Sequence, residues 1–225
     1  MSAAPAPLEA APGLGPMTPA PAYGPAEFQA AFAASDAQVA DLARFEALVF
    51  DWNQRMNLVG PSAQAEFWSR HVLDSAQILR LAPGALTFAD LGAGAGFPGI
   101  VIACLLKGRE GAHVHLVESM AKRCRFLSEV VGALDLPASV HNARAEDVKL
   151  KVDVVTARAL APLVRLLGFA RPYLQRGAVG LFLKGQDVEV ELAEAATSWK
   201  FESRLTPSLS HTLGRIVEIK KVSRA

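Results

Sequence analysis

A glycine-rich segment in the middle of the chain reads Asp90-Leu91-Gly92-Ala93-Gly94-Ala95-Gly96-Phe97-Pro98-Gly99. An apolar run, residues 86–91, leads into it, and a second one, residues 100–106, follows it. This order predicts a strand, a tight turn and a helix. Glycines suit such a turn because it needs unusual backbone angles and lets a ligand approach the main chain. Turns of this kind lie at the carboxyl ends of strands, where open α/β sheets bind their ligands.

Beyond this loop the chain continues as strands and helices in alternation. Apolar runs predict strands at residues 114–117, 139–141, 152–156 and 179–183, and amphipathic runs predict helices at residues 122–134, 162–174 and 188–199. Residues 201–205 and 216–220 alternate like the two strands of a closing hairpin. The pattern predicts an α/β fold, in which a doubly wound, Rossmann-like and mostly parallel sheet ends in an antiparallel C-terminal strand.

The chain before the sheet divides into two parts. Residues 1–26 hold 8 alanines and 7 prolines, a composition that predicts a disordered tail. Apolar side chains at helical spacing then predict helices at residues 36–58 and 63–81, the second with Ser62 as N-cap. The predicted domains are a tail (1–26), an N-terminal helical cap (27–84) and a ligand-binding domain (85–225).

Charge is distributed unevenly along the chain. The net charge is only +1, but residues 1–118 carry 6 basic and 11 acidic residues, whereas residues 119–185 carry 11 basic and 5 acidic ones. The second segment is therefore expected to face an anion, although a mixed, solvated surface would have the same composition.

Two cysteines, Cys104 and Cys124, form neither a disulfide framework nor a metal-ligand spacing, so we expect reduced packing residues and no metal site. No apolar run is long enough to span a bilayer, and the N-terminus lacks the pattern of a secretion signal. The sequence thus predicts a cytoplasmic protein with no membrane partner.

The glycine loop by itself fits two ligands. Read from Gly94 it is the G-x-G-x-x-G of dinucleotide folds, whereas Asp90, Gly92, Gly94 and Gly96 together match the D-x-G-x-G-x-G of methyltransferases. A carboxylate at Asp90 would meet a methionine ammonium but repel a pyrophosphate, which favours S-adenosylmethionine. Glu118 ends the second strand, where it can bind both ribose hydroxyls under either interpretation. An NAD-dependent oxidoreductase therefore stays open as an alternative.

Several other polar residues follow predicted strands and are candidates for the site. Glu146, after the third strand, is expected near an adenine ring or as a cap of the next segment. Arg158 ends the fourth strand and Lys184 the fifth, so both should converge on one crevice as candidate catalytic groups. The residues predicted to bind an anionic substrate such as a nucleic acid are Arg70, His71, Arg123, Arg125 and Lys184. For Arg158 the alternative is a sheet-edge ion pair, and for His71 it is a purely structural histidine.

Six ordered blocks of sequence resemble a known family. They are Asn57-Leu58-Val59, Arg70-His71-Val72-Leu73-Asp74-Ser75, the loop from Asp90 to Gly99, Lys122-Arg123-Cys124-Arg125-Phe126-Leu127, Thr156-Ala157-Arg158-Ala159 and Leu183-Lys184-Gly185-Gln186. Together, over about residues 45–221, the chain resembles the guanine-N7 ribosomal RNA methyltransferases, once named glucose-inhibited division protein B. Residues 1–26 have no counterpart there, and residues 214–219 match more loosely.

The resemblance implies an S-adenosylmethionine-dependent enzyme that methylates N7 of a guanine in the 530 loop of 16S ribosomal RNA, free or in the small subunit. It also implies that the cofactor is held at positions matching Gly92, Phe97, Ala145, Glu146 and Arg158. Guanine N7 has a free lone pair, so the reaction needs alignment and no general base. We expect a monomer. A methyltransferase for a different RNA or a small molecule stays open, and so does a non-enzymatic RNA-binding module.

Overall fold

The computed structural model of the protein describes residues 23–61 and 66–225. The predicted tail lies outside the described residues as far as residue 22. Its last two residues begin a helix that the sequence did not predict, α1 (Pro25–Phe32). Pro25 occupies the first helical position, and the Glu27 side chain accepts a hydrogen bond from the Gly24 amide, 2.9 Å away. Both features favour a helix start.

The first predicted helix is present but shorter than expected, as α2 (Asp36–Asn53). Asn53 ends it because its side chain holds the following loop. The Asn53 Oδ1 atom accepts hydrogen bonds from the amides of Leu58 (2.8 Å) and Val59 (3.1 Å). Because these two amides bond to a side chain and not to helix carbonyls, the helix ends and the chain turns there.

The second predicted helix has two parts. Residues Phe67–Leu73 form a π-helical segment, which continues directly into α3 (Asp74–Leu81). Ser62, the expected N-cap, lies outside the described residues. π-Helical turns are uncommon and often lie at functional sites, and this segment carries Arg70 and His71.

Within residues 23–61 and 66–225, a sheet of seven strands confirms the predicted fold class. Its order is β3-β2-β1-β4-β5-β7-β6. The strands are β1 (Thr87–Leu91), β2 (His113–Glu118), β3 (Ala138–Asn142), β4 (Val154–Arg158), β5 (Val179–Lys184), β6 (Trp199–Pro207) and β7 (Arg215–Arg224). The first five are parallel, and β7 runs antiparallel to both β5 and β6.

Helices cover both faces of the sheet. They are α4 (Gly99–Leu106), α5 (Ala121–Leu134), α6 (Leu163–Leu174) and α7 (Val188–Ala196). Side chains of α1, α2 and the π-helical segment share one buried core with α4 and α5, while α6 and α7 pack on the other face. A hydrogen bond from Gln38 Nε2 to Leu105 O (2.8 Å) ties α2 to α4. Among the residues described, no helix has the length and apolar character needed to cross a membrane.

Candidate functional site

The glycine loop lies at the carboxyl ends of β1 and β2. The amides of Gly92 and Ala93 both donate to Val117 O, at 2.8 and 3.0 Å. Gly92 has φ +70°, and a Cβ atom there would lie 2.6 Å from Leu160 Cδ1. A side chain at Gly92 would therefore strain the backbone and displace Leu160, so glycine is required by conformation and by space.

Asp90 has a different role from the one predicted. Its side chain is fully buried, and its carboxylate accepts hydrogen bonds from the amide of Gly99 (2.9 Å) and the hydroxyl of Thr156 (3.1 Å). Burial raises the pKa of Asp90 to about 7, against the opposing effect of these two hydrogen bonds. The group has no exposed surface with which to meet a ligand's ammonium. We correct its assignment: Asp90 fixes the start of α4 beneath the loop.

Glu118 lies where the prediction placed it, at the end of β2. Its Oε2 atom accepts from the amide of Gly94 (3.0 Å) and its Oε1 atom from the amide of Met120 (2.8 Å). These bonds fix the carboxylate at the wall of a cleft. Each carboxylate oxygen has a second lone pair, so Glu118 can still accept hydrogen bonds from a diol.

The cleft beside Glu118 has a volume of about 410 Å³, within the usual range for small-molecule sites. Gly92 and Glu118 line one side, and Ala145 and Glu146 line another. Leu160 and Phe169 add apolar surface. The structure thus brings together four of the predicted cofactor-binding residues. Carboxylate acceptors beside apolar walls fit a nucleoside, so these residues suit the adenosyl group of S-adenosylmethionine.

A second, larger cavity of about 710 Å³ adjoins the cleft. Residues 159–162 line both spaces and form their common wall. Within this wall Ala159 has φ +53°, a left-handed conformation that is strained for a residue with a Cβ atom. Arg70, Arg158 and Lys184 all line the second cavity, so the predicted convergence of Arg158 and Lys184 on one crevice is found.

Arg158 is the central cation of the second cavity. Its Nη1 atom lies 3.8 Å from Asp74 Oδ2 and has no hydrogen-bond partner among the described residues. Its guanidinium lies 5.8 Å from the ring centre of Phe97. Burial lowers the pKa of Arg158 below its ordinary value, and the nearby Asp74 carboxylate opposes this. The sheet-edge ion pair considered as an alternative is thus present. The Nη1 atom is buried, whereas the side chain as a whole is 23% exposed and lines the cavity.

The ammonium group of Lys184 is hydrogen-bonded within the protein. Its Nζ atom donates to Glu191 Oε2 (2.6 Å) and to Ala161 O (2.9 Å), and its side chain is only 10% exposed. Glu191 also accepts from the amide of Leu163 at 2.6 Å. These contacts use two of the three donors of the ammonium, so they give Lys184 a structural role beside the predicted catalytic and RNA-binding ones, which stay predictions. It holds the common wall between the two cavities.

His71 and Phe97 are stacked on each other and line neither cavity. Phe97 is nearly buried, with Phe45 and Phe67 against its other sides. Burial lowers the pKa of His71 to about 4, with help from the positive charges of Arg158 and Arg70. His71 is therefore neutral near pH 7. The structure favours the structural role for this histidine over contact with RNA.

The remaining predicted RNA-binding residues lie in different places. Arg70 lines the second cavity with a side chain that is 41% exposed. Arg123 lines the cleft, with Nη1 3.9 Å from Glu118 Oε2. Arg125 is exposed on α5 and lines neither space.

Sequence reasoning gave no role to Asp74, Glu191 or residues 208–214. The second cavity is lined by Asp74, Glu191, Ser210, His211, Leu213 and Gly214. Asp74 stands within one of the six blocks of resemblance, which was a signal that its carboxylate has a function. Residues 208–214 carried no signal, because the sequence resemblance weakens toward that end.

Solved structures of other proteins share this fold. A SAM-dependent methyltransferase from Aquifex aeolicus aligns over 78% of this chain and 98% of its own, with a TM-score of 0.54 and 15% identity. A mutant of MtNAS, solved in complex with S-adenosylmethionine, aligns over 87% of this chain and 83% of its own, with a TM-score of 0.53 and 16% identity. At these identities the likeness concerns the fold alone.

Sequence relatives are much closer. The ribosomal RNA small subunit methyltransferase G of Caulobacter vibrioides strain NA1000 is 65% identical over 197 residues, which cover 88% of this chain and 91% of that protein. The protein of the same name from Bradyrhizobium sp. strain BTAi1 is 49% identical over 187 residues, which cover 81% of this chain and 84% of that protein. The family model described as rRNA small subunit methyltransferase G matches residues 38–217. The chain therefore belongs to the family that its sequence predicted, GidB, the rRNA small subunit methyltransferase G family.

Proposed function

We propose that this protein transfers a methyl group from S-adenosylmethionine to N7 of a guanine in the 530 loop of 16S ribosomal RNA, in the cytoplasm and as a monomer. One observation carries the proposal: a nucleoside-sized cleft and a cavity lined by arginines share a single wall, residues 159–162. A donor bound in the first space and an RNA nucleotide bound in the second would meet across that wall.

The cleft supplies the contacts that an adenosyl group needs. Glu118 accepts hydrogen bonds from the ribose hydroxyls through its remaining lone pairs. The missing side chain at Gly92 lets the ligand approach the loop, and the chain at Ala145 and Glu146 flanks the base. When bound, S-adenosylmethionine supplies an electrophilic methyl group on its sulfonium.

Methylation of guanine N7 requires little acid–base catalysis by the protein. Guanine N7 carries no proton, so nothing has to be removed before it attacks. The acidic groups of the second cavity agree with this, because Asp74 and Glu191 are both engaged by protein partners. The protein's work is to hold N7 and the methyl group in line, and alignment of this kind can contribute up to about 7–11 kcal/mol.

Arg158 is the residue best placed to hold the RNA. Its side chain is 23% exposed and lines the cavity, so the guanidinium can donate to a phosphate or to guanine O6. A hydrogen bond to N7 itself would block the attacking lone pair, so we assign Arg158 to the phosphate or O6. Arg70, on the same cavity, is a second cation for the backbone.

The decisive experiment uses a synthetic 530-loop hairpin of 16S RNA and the purified protein with a methyl-labelled donor. One hairpin carries guanine at the target position, and a matched one carries 7-deazaguanine, which has carbon in place of N7. We expect label in the first hairpin only, mapped to the target guanine. If the isolated hairpin is too small a substrate, small subunits from a strain lacking the gene replace it, with wild-type subunits as the control. Equal label in both hairpins, or label mapped to another base, contradicts the proposal.

A further inference from the structure

The loop between β6 and β7, residues 208–214, forms part of the second cavity. Ser210, His211 and Leu213 line it, together with Arg158. Leu213 is 49% exposed, and Leu209, in the same loop, is 53% exposed. Apolar and imidazole surface in the same cavity as a cation is the combination that suits a nucleotide, since the base needs a face to lie on and the phosphate needs a charge.

Asp74, the first residue of α3, fixes this loop to the helical cap. Its Oδ1 atom accepts hydrogen bonds from the hydroxyls of Ser208 (2.9 Å) and Ser210 (2.7 Å). Gln77, on the next turn of the helix, donates to Ser208 Oγ (3.1 Å) and accepts from the amide of Leu209 (2.9 Å). The loop position thus depends on one carboxylate oxygen and one amide side chain.

The other oxygen of the same carboxylate faces Arg158. The distance from Asp74 Oδ2 to Arg158 Nη1 is 3.8 Å, and the two side chains are only 15% and 23% exposed. Solvent screens such a pair weakly. Because the distance is too long for a hydrogen bond, the carboxylate holds Arg158 by charge, and the buried Nη1 atom has no hydrogen-bond partner among the described residues.

We propose that Asp74 is a positioning residue that couples the β6–β7 loop to Arg158, so that two parts of the lining of the second cavity are set together for the target nucleotide. This inference rests on the proposed function, since it takes that cavity to be the RNA site. Neither Asp74 nor residues 208–214 line the adenosyl cleft. The coupling therefore acts on RNA binding and on alignment, and it leaves donor binding unchanged.

Two variants separate the two halves of the coupling. Asp74→Asn keeps an Oδ1 acceptor for the serines but replaces the negative charge toward Arg158 with an amide. The double variant Ser208→Ala/Ser210→Ala keeps that charge and removes the loop's anchor. The matched controls are Asp41→Asn on α2, which breaks a partly exposed ion pair with Lys107, and Ser203→Ala, on an exposed position of β6.

We expect Asp74→Asn to lower kcat on 16S RNA by about tenfold to a hundredfold, as misalignment of a reacting pair does. The serine double variant should raise KM for the RNA by about tenfold with a smaller change in kcat, because it loosens a binding wall. Calorimetry with S-adenosylhomocysteine, the demethylated product, should give the same affinity for all variants and for the unaltered protein. A thermal unfolding curve for each variant checks the fold.

A fall in S-adenosylhomocysteine affinity that parallels the loss of activity would show general damage and overturn the inference. So would kinetics of both variants that equal those of the controls. If Asp74→Asn unfolds, the serine double variant tests the inference through its KM for the RNA, since it removes only two hydroxyls. Absence of methyl transfer to 16S RNA by the unaltered protein is a separate result, which defeats the proposed function itself.

Discussion

The imidazole ring of His71 lies against the ring of Phe97, with centroids 4.7 Å apart and planes inclined by 21°. His71 belongs to the π-helical segment of the cap, and Phe97 belongs to the glycine loop. Phe45 of α2 meets the same ring at 5.3 Å. The cap therefore fixes the glycine loop through an aromatic cluster, and this is why the cap and the sheet share one buried core.

The depressed pKa of His71 predicts a pH-dependent stability. Its pKa is about 4 in the folded protein, because of burial and the charges of Arg158 and Arg70, and about 6.5 when unfolded. Between these values the unfolded chain binds a proton that the folded one does not. Stability contributed by neutral His71 is present above pH 6.5 and is lost as the pH falls toward 4, by at most about 1.4 kcal/mol per pH unit.

Replacing His71 with glutamine removes this contribution. Urea unfolding at several pH values between 4.5 and 7.5 should show a shallower acid decline for His71→Gln than for the unaltered protein. Parallel curves, offset by a constant, would mean that His71 does not titrate in this window.

Replacement by alanine should have opposite effects on stability at two glycines, Gly96 in the glycine loop and Gly132 in α5. Gly96 has φ +91°, and a Cβ atom there would lie 2.7 Å from Ile100 Cγ1 and 3.1 Å from Phe45 Cζ. Gly96→Ala should destabilise the protein by about 1–3 kcal/mol and weaken S-adenosylhomocysteine binding. Gly132 lies in α5 with nothing near its Cβ position, so Gly132→Ala should stabilise by about 0.5–1 kcal/mol. Thermal unfolding and calorimetry measure both, and equal effects of the two substitutions would contradict this expectation.

Much of the fold was predictable because local patterns determine it. Residues 122–134 were expected to form a helix and residues 179–183 a strand, and the structure has α5 at Ala121–Leu134 and β5 at Val179–Lys184. Periodicity of apolar side chains decides such elements without tertiary information. The helix α1 was missed because alanine and proline dominate the sequence before it, although Pro25 and Glu27 are start signals.

The candidate site was predictable only in part. Glu118 and Arg158 stand at strand ends, and strand ends meet at one edge of a parallel sheet. The roles of Lys184 and Asp90 could not be deduced, because they depend on which partners the fold brings close. Asp74 and Ser208 are 134 positions apart, and nothing local to either residue indicates that they hydrogen-bond.

Substitution of Arg158 should affect methyl transfer but not binding of the donor. Arg158→Ala should leave the fold and S-adenosylhomocysteine affinity nearly unchanged, since the guanidinium lines the second cavity and not the cleft. This expectation departs from the cofactor contact that the family resemblance implies for Arg158. Methyl transfer to 16S RNA should fall at least about a hundredfold, as loss of a positioning cation does. Arg158→Lys keeps the charge but not the fork geometry and should recover only part of the activity. Full activity of Arg158→Ala would show that this residue takes no part in methyl transfer.

Asp153 predicts a stability effect far from the site. Its carboxylate accepts hydrogen bonds from the amides of Leu86 (3.0 Å) and Thr87 (2.9 Å) and from the Thr87 hydroxyl (2.9 Å), so it ties β1 to β4. Burial alone would raise the pKa of Asp153, but these hydrogen bonds lower it below its ordinary value. Its stabilising effect is therefore present above the unfolded pKa, near 4, and is lost as the pH falls through the lower folded value.

Asp153→Ala should cost about 1–3 kcal/mol of unfolding free energy at pH 7. Asp153→Asn should cost less, because it keeps one acceptor, and it should lose the acid dependence. Chemical unfolding at pH 7 and pH 3 measures both effects. Methyl transfer by folded Asp153→Ala should be normal at low temperature, since the residue lies at the amino ends of the strands. A destabilisation that is equal at both pH values would contradict the assignment.

The basic segment, residues 119–185, predicts how salt affects RNA binding. If its cations contact phosphates, the logarithm of the RNA association constant should fall linearly with the logarithm of salt concentration. Arg125, exposed on α5 beside the cleft-lining Arg123, tests this surface. Arg125→Gln should weaken binding at low salt and make the slope shallower by about one counterion, because one phosphate contact is gone. Arg109→Gln is the matched control, since Arg109 is exposed before the amino end of β2, at the opposite edge of the sheet. Fluorescence anisotropy with a labelled 530-loop hairpin gives both slopes, and identical slopes for Arg125→Gln and the unaltered protein would place the RNA elsewhere.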